Sequence, residues 1–102
     1  YARAQCARQA VATRLDRVLD EVDAILTPTM PLPATSPDLL RYTAPGSLGG
    51  HPALSVPNGF GADGLPLAMQ FIGRRGDDAT LLHLGAAYQR ASGWHRRLPT
   101  LD

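Results

Sequence analysis

The residues here whose types could do chemistry are three histidines, one cysteine and four serines, and their spacing decides which chemistry is open to them. His51, His83 and His95 stand far apart, with no carboxylate or cysteine at metal-ligand spacing from any of them, which argues against a metal site. His83 sits beside the apolar stripe of a predicted helix and reads as a partly buried packing histidine. His51 lies in a loop rich in proline and glycine, where function often resides, but a structural role is the favoured reading. Cys6, in a helix without a basic cluster, reads as a small packing residue and not as a nucleophile. Ser36, Ser47, Ser55 and Ser92 include no serine with glycines two residues before and after it, so there is no nucleophile elbow. All ten basic residues are arginines, so nothing that needs a lysine base or a Schiff base can happen within this chain.

The glycines divide in the same way. Gly46-Ser47-Leu48-Gly49-Gly50 fits either a phosphate-holding nest or a plain tight connection, with the second favoured. On that reading a β-branched residue at Gly50 should harm folding more than His51→Ala, because the connection leaves little room for a side chain. Gly59, Gly61 and Gly64 are spaced as GxGxxG but precede a strand instead of opening a helix, so a nucleotide-binding module is disfavoured. Arg74-Arg75 could meet an anionic group, although a solvated strand end is the favoured reading.

The scaffold that must position these residues is 102 residues long, one domain's worth at most. Hydrophobic residues make up 44% and charged residues 19%, a globular composition. The net charge of +1 gives no reason to expect nucleic acid or an anionic membrane as a partner. A lone cysteine suits a reducing compartment, with the cytoplasm as the default. No apolar run approaches the roughly 20 residues that span a bilayer. Tyr1 stands directly at the start of helical sequence, which suggests excision from something longer.

Ala2 to Val22 contains neither Gly nor Pro and predicts a helix, with Val11, Leu15, Val18 and Val22 as its packing stripe. Asp23 to Thr27 predicts a buried strand stopped by Pro28. Between Pro28 and Pro66, eight prolines and six glycines in 39 residues exclude any long helix. Ala53 to Val56 and Leu67 to Ile72 are nearly continuous apolar runs, as expected of strands covered on both faces in an α/β sheet. Asn58-Gly59 and Asp63-Gly64 offer the turn between them. A last helix begins at Asp77 or Asp78 and is stopped by Gly93, with Leu81, Leu84 and Tyr88 inward and Arg90 in its final turn. The tail from Trp94 carries no usable pattern. Together these elements make a piece of a layered α/β sheet.

Tyr42-Thr43-Ala44-Pro45, Leu48-Gly49-Gly50-His51-Pro52-Ala53-Leu54-Ser55-Val56-Pro57-Asn58-Gly59 and Gly64-Leu65-Pro66-Leu67-Ala68-Met69-Gln70-Phe71-Ile72-Gly73 resemble the C-terminal part of the amidase signature family. The resemblance extends back to Asp23-Ala24-Ile25-Leu26-Thr27-Pro28-Thr29-Met30-Pro31 and forward to Asp77-Asp78-Ala79-Thr80-Leu81-Leu82, covering roughly residues 14 to 92. It implies the α/β/α fold of that family, a mixed β-sheet flanked by helices, of which residues 1–102 would be the C-terminal segment of a single larger domain. It implies a serine hydrolase of amides that uses no cofactor and no metal, whose lysine, cis-serine and nucleophilic serine lie upstream and match no position here. The implied partners are a small-molecule amide substrate and the upstream part of the same enzyme, with a homo-oligomer left open. The implied substrate-cleft candidates are Thr27, Thr29 and Met30 after the first strand, and Tyr42, Thr43 and Ser47 in the connection before the second. Glutamine-using amidotransferases of the family carry an aspartate where this chain has Leu40-Arg41-Tyr42, and an asparagine near Ser47, so the resemblance favours a general amidase. A non-catalytic partner-binding domain derived from the fold is the alternative.

Overall fold

The computed structural model describes residues 1–30 and 40–98; Pro31, Ser36 and the end of the tail, 99–102, lie outside the described residues. Helix α1 spans Ala2–Glu21, strand β1 Ile25–Pro28, helix α2 Ala44–Gly49, strand β2 Ala53–Phe60, strand β3 Pro66–Ile72 and helix α3 Asp78–Ser92, followed by a 3-10 turn at Trp94–Arg96. The three strands form one antiparallel sheet in the order β1-β3-β2.

Helix α1 forms where its composition predicts, and the packed face keeps Val11 and Leu15 of the expected stripe, partly buried, but turns away from Val18 and Val22. Ala12 and Leu19 are buried while Val18 and Val22 are about half exposed. The partner sets this choice: α1 lies against the glycine-rich α2, whose bare backbone at Gly49 comes close to Leu15. Tyr1 and the first half of α1, to Ala10, are exposed, so Cys6 is a free exposed thiol and not the packing residue expected.

The short helix α2 shows that the proline- and glycine-rich stretch is punctuated and not merely irregular. Pro45 occupies its first turn, where a missing N–H costs nothing, and Gly50 ends it in the left-handed conformation at φ 72°. Nothing lies within 4 Å of a Cβ built at Gly50, so the expected lack of room is at Gly49 instead, where a Cβ would stand 2.5 Å from His51 Nδ1.

Strand β1 starts at Ile25, later than expected, includes Pro28 instead of stopping before it and has no buried residue, while Asp23 ahead of it faces Arg74 at 3.4 Å. The expectation of strands covered on both faces fails over much of their length. Only Val56 is buried in β2, an outer strand. Strand β3 buries Gln70 and Ile72 in the half that pairs with β1 through residues 69–72, and exposes Pro66 and Leu67 beyond it. Asp63-Gly64 makes the β2–β3 turn, with Gly64 at φ 76° and Asp63 Oδ1 accepting the Leu65 N–H at 3.2 Å. Asn58-Gly59 lies inside β2, where the register slips between Pro57 and Gly59 as at a bulge.

Cross-strand pairing sorts the sheet into two faces. Leu26, Phe71 and Leu54 share one face with Pro28, Met69 and Val56. On it lies α3, with Leu81 over Gly73, Gly85 against Leu54 and Val56, and Tyr88 edge-on to Phe71 at 6.5 Å. Asp77 caps α3 through Thr80 N–H and Gly93 ends it at φ 70°, as expected. His83 is exposed, because it points away from the Leu81, Gly85 and Tyr88 side. The tail acquires a role that no local pattern signals: Trp94 meets Phe60 edge-on at 6.2 Å, and Arg97 lies 5.0 Å over the Trp94 ring. On the opposite face, Ile25, Ile72 and Ala53 are followed by a polar row of Thr27, Gln70 and Ser55, and α2 approaches at Gly46, beside Ala53 and Ile72.

Candidate functional site

The polar row is the feature that sequence patterning hides. A strand with a period of two places Thr27, Gln70 and Ser55 side by side across β1, β3 and β2. Gln70 is only 3% exposed. Its Nε2 donates to Thr27 Oγ1 at 3.0 Å and to the Tyr42 carbonyl at 2.6 Å. A carbonyl can only accept, so the amide orientation is fixed by this partner. At the far end of the row Thr29 Oγ1 and Ser55 Oγ share a hydrogen bond of 2.8 Å. Thr29 stays in line with the sheet because its N–H continues the ladder to the Ala68 carbonyl at 3.0 Å.

Across the sheet from this row, where β1 ends and β3 begins, a hollow of about 490 Å³ is lined mainly by Leu26, Pro28, Met30, Leu67 and Met69, residues of the face that carries α3, with Thr27 and Asn58 as its polar groups. Such a lining takes an apolar substituent and orients it through few polar atoms. Of the six residues singled out from sequence, the structure links Thr27 and Tyr42 through Gln70 and sets Thr29 on Ser55. Met30 lines the hollow. Thr43 sits at the N-cap of α2 without a side-chain cap bond, and Ser47 is exposed on α2, so these two are not brought into the row. Gln70 and Ser55 are additions that the sequence reading lacks, although a polar residue in the middle of the apolar run Leu67 to Ile72 is a signal in plain view.

A second polar cluster joins α1 to the sheet. His51 is buried, at 6% exposure, and its Nε2 donates to Asp16 Oδ1 at 2.9 Å. Arg75 reaches the other carboxylate oxygen at 2.6 Å. Hydrogen bonding from His51 leads in holding the Asp16 carboxyl below its ordinary 3.8; partial desolvation opposes this, and the Arg75 charge assists. Arg74 donates to the Leu19 carbonyl at 2.8 Å and to the Val22 carbonyl at 3.0 Å, taking up acceptors that the end of α1 leaves open. The two arginines at this strand end are thus tied to α1 while staying about half exposed.

The Asp16–His51 pair has the connectivity of a catalytic dyad but not the access of one. His51 Nδ1 has no hydrogen-bond partner and is buried, and it faces Gly49 so closely that a Cβ there would overlap it. No substrate atom fits in that gap. Among the described residues no group of three or more His, Cys, Asp or Glu could hold a metal ion, and no described helix is long and apolar enough to cross a membrane.

The family model for Amidase matches residues 1–82. The chain is 46% identical over 112 aligned positions to the A subunit of Glutamyl-tRNA(Gln) amidotransferase from Chloroflexus aggregans, covering 99% of this chain and 23% of that protein. It therefore spans about a quarter of the length of the curated relatives it matches. Among solved structures it resembles the A subunit of Glutamyl-tRNA(Gln) amidotransferase from Thermotoga maritima, with a TM-score of 0.80, 36% identity, and 89% and 22% of the two chains covered. It equally resembles a bacterial aryl acylamidase of the amidase signature enzymes, with a TM-score of 0.80, 30% identity, and 90% and 23% covered. With four fifths of its length matched by the family model, the chain belongs to the Amidase family.

Proposed function

We propose that this chain is the C-terminal portion of an amidase-signature serine hydrolase that cleaves carboxylic amide C–N bonds to an acid and ammonia or an amine. Residues 1–102 supply the sheet core and one wall of the substrate cleft, and the upstream part of the same enzyme supplies the serine nucleophile and its lysine relay. The observation that carries this reading is the Amidase family match over residues 1–82 of a chain that spans 23% of the length of a relative. Family membership supports amide chemistry, while the absence of lysine requires the proton relay to come from elsewhere. The resemblance leads one to expect, for a glutamine-using amidotransferase, an aspartate shortly before Thr43 and an asparagine near Ser47, and this chain has Leu40-Arg41-Tyr42 and no asparagine there. The hollow is also mostly apolar. Both favour a general amidase acting on amides with an apolar acyl or aryl group in a reducing, cytoplasmic setting.

A second reading, the glutamine-using component of an amidotransferase, draws on the identity to the Chloroflexus aggregans protein. Ammonia release from a panel of aromatic and aliphatic amides, with glutamine alongside, separates the two when measured on the protein at its full expressed length. Turnover of apolar amides above glutamine is expected, and a strict requirement for glutamine would favour the second reading. The 102-residue chain alone is expected to release no ammonia from any of them. A monodisperse, cooperatively unfolding chain whose reading frame holds no upstream domain would instead favour a non-catalytic binding domain.

A further inference from the structure

A carboxamide at the centre of a sheet is an expensive choice where leucine would pack as well, unless both its hydrogens are used. Gln70 uses both, and it directs them to two stretches of chain that meet at the polar row. One goes to Thr27 in β1, the strand that runs on to Thr29 and Met30, and the other goes to the carbonyl of Tyr42, just ahead of α2. Tyr42 lies 28 residues from Gln70 and belongs to no strand, so no backbone ladder ties it to the sheet. We infer that Gln70 is a positioning residue: its amide clamps the Tyr42–Ser47 segment onto β1 and thereby fixes the spacing of Thr27 and Tyr42, two of the substrate-cleft candidates. This rests on the hydrolase reading above for its functional consequence, but not for the clamp itself.

The chemistry of the clamp supplies its own test. Gln70→Glu keeps the shape and turns the donor into an acceptor that faces the Tyr42 carbonyl. Burial raises the carboxyl's pKa, and the protonated acid carries one O–H, which restores one of the two bonds. Gln70→Met keeps the volume and has no donor at any pH. In the protein at its full expressed length, both variants should exchange the Ala44 and Ser47 amides about 10-fold faster than wild type at neutral pH, with α3 amides unchanged. KM for amides should rise about 10-fold with kcat held within about threefold. Gln70→Glu should recover part of its KM as pH falls from about 8 to about 5, and Gln70→Met should not.

Exchange that accelerates throughout the domain, or a Gln70→Glu profile parallel to that of Gln70→Met, would overturn the clamp and leave Gln70 a packing residue. A wild-type protein without amide turnover would end the hydrolase reading instead. The exchange of Ala44 and Ser47 would then decide the clamp alone.

Discussion

Gly49 and Gly50 are neighbours that should fail for different reasons when changed to alanine, and the difference can be measured. At Gly49 a Cβ would stand 2.5 Å from His51 Nδ1, 3.0 Å from its Cε1 and 3.4 Å from Leu15 Cδ1. Carbon contacts settle at about 3.5–4.0 Å, so the overlap is on the order of 1 Å. The His51 ring has nowhere to go: its side chain is wholly buried, and any shift leaves Asp16. Overpacking of this kind costs about 1–3 kcal/mol. At Gly50 nothing lies within 4 Å, but φ is 72°, which costs an L-residue about 1–2 kcal/mol. Both single variants therefore lose stability by similar amounts in urea unfolding. His51→Ala separates them. In that background Gly49→Ala should become nearly harmless, a coupling of about 1–3 kcal/mol, while Gly50→Ala should cost what it did before. Gly50→Asn should be milder than Gly50→Ala, since Asn tolerates the left-handed region. If His51→Ala relieved Gly50→Ala as much as Gly49→Ala, the placement of the His51 ring against Gly49 would be wrong.

Three shorter expectations concern how the helices are attached. The Asp16 carboxyl is held below 3.8 in the folded protein, so its contribution is present above that pH and lost as pH falls through the folded value. Asp16→Asn should flatten the acid limb of the urea midpoint against pH, and parallel curves would count against the His51–Asp16–Arg75 cluster. Arg74→Lys should destabilise by about 1 kcal/mol and speed amide exchange in the last turn of α1, because an ammonium cannot reach the Leu19 and Val22 carbonyls together. Gly85→Ala should gain about 1 kcal/mol of helix propensity only once Leu54 is shortened to Ala, since a Cβ there meets Leu54 Cδ2 at 2.5 Å; a gain in the wild-type background would show that α3 sits higher above β2.

What is legible in the sequence is local. The caps of α3 at Asp77 and Gly93 and the turn at Asp63-Gly64 each rest on residues within a few positions of one another. What stays hidden is long-range. Gln70 finds Tyr42 28 residues away and Thr27 43 away, and His51 finds Asp16 35 away, so no periodicity announces any of these pairs. The expected stripe of α1 is Val11, Leu15, Val18 and Val22, whereas Ala12 and Leu19 are the buried residues and, of the stripe, Leu15 meets Gly49 of α2. Helix α2 escapes a reading that treats proline and glycine only as breakers, because Pro45 opens it and Gly50 closes it. The apolar runs of β2 and β3 suggest cover on both faces, yet Ala53 is exposed and Leu67 stands 51% exposed. That mismatch is what a segment of a larger sheet would show.

The most direct test of the hydrolase proposal is the reading frame upstream of Tyr1 in the gene that encodes this chain. A lysine is expected there and, some tens of residues later, a glycine- and serine-rich stretch able to carry the nucleophile, in frame with Tyr1. A start codon immediately before Tyr1 would contradict the proposal, because a lysine-free domain cannot run that proton relay, and the chain would then be a binding module built on an amidase scaffold.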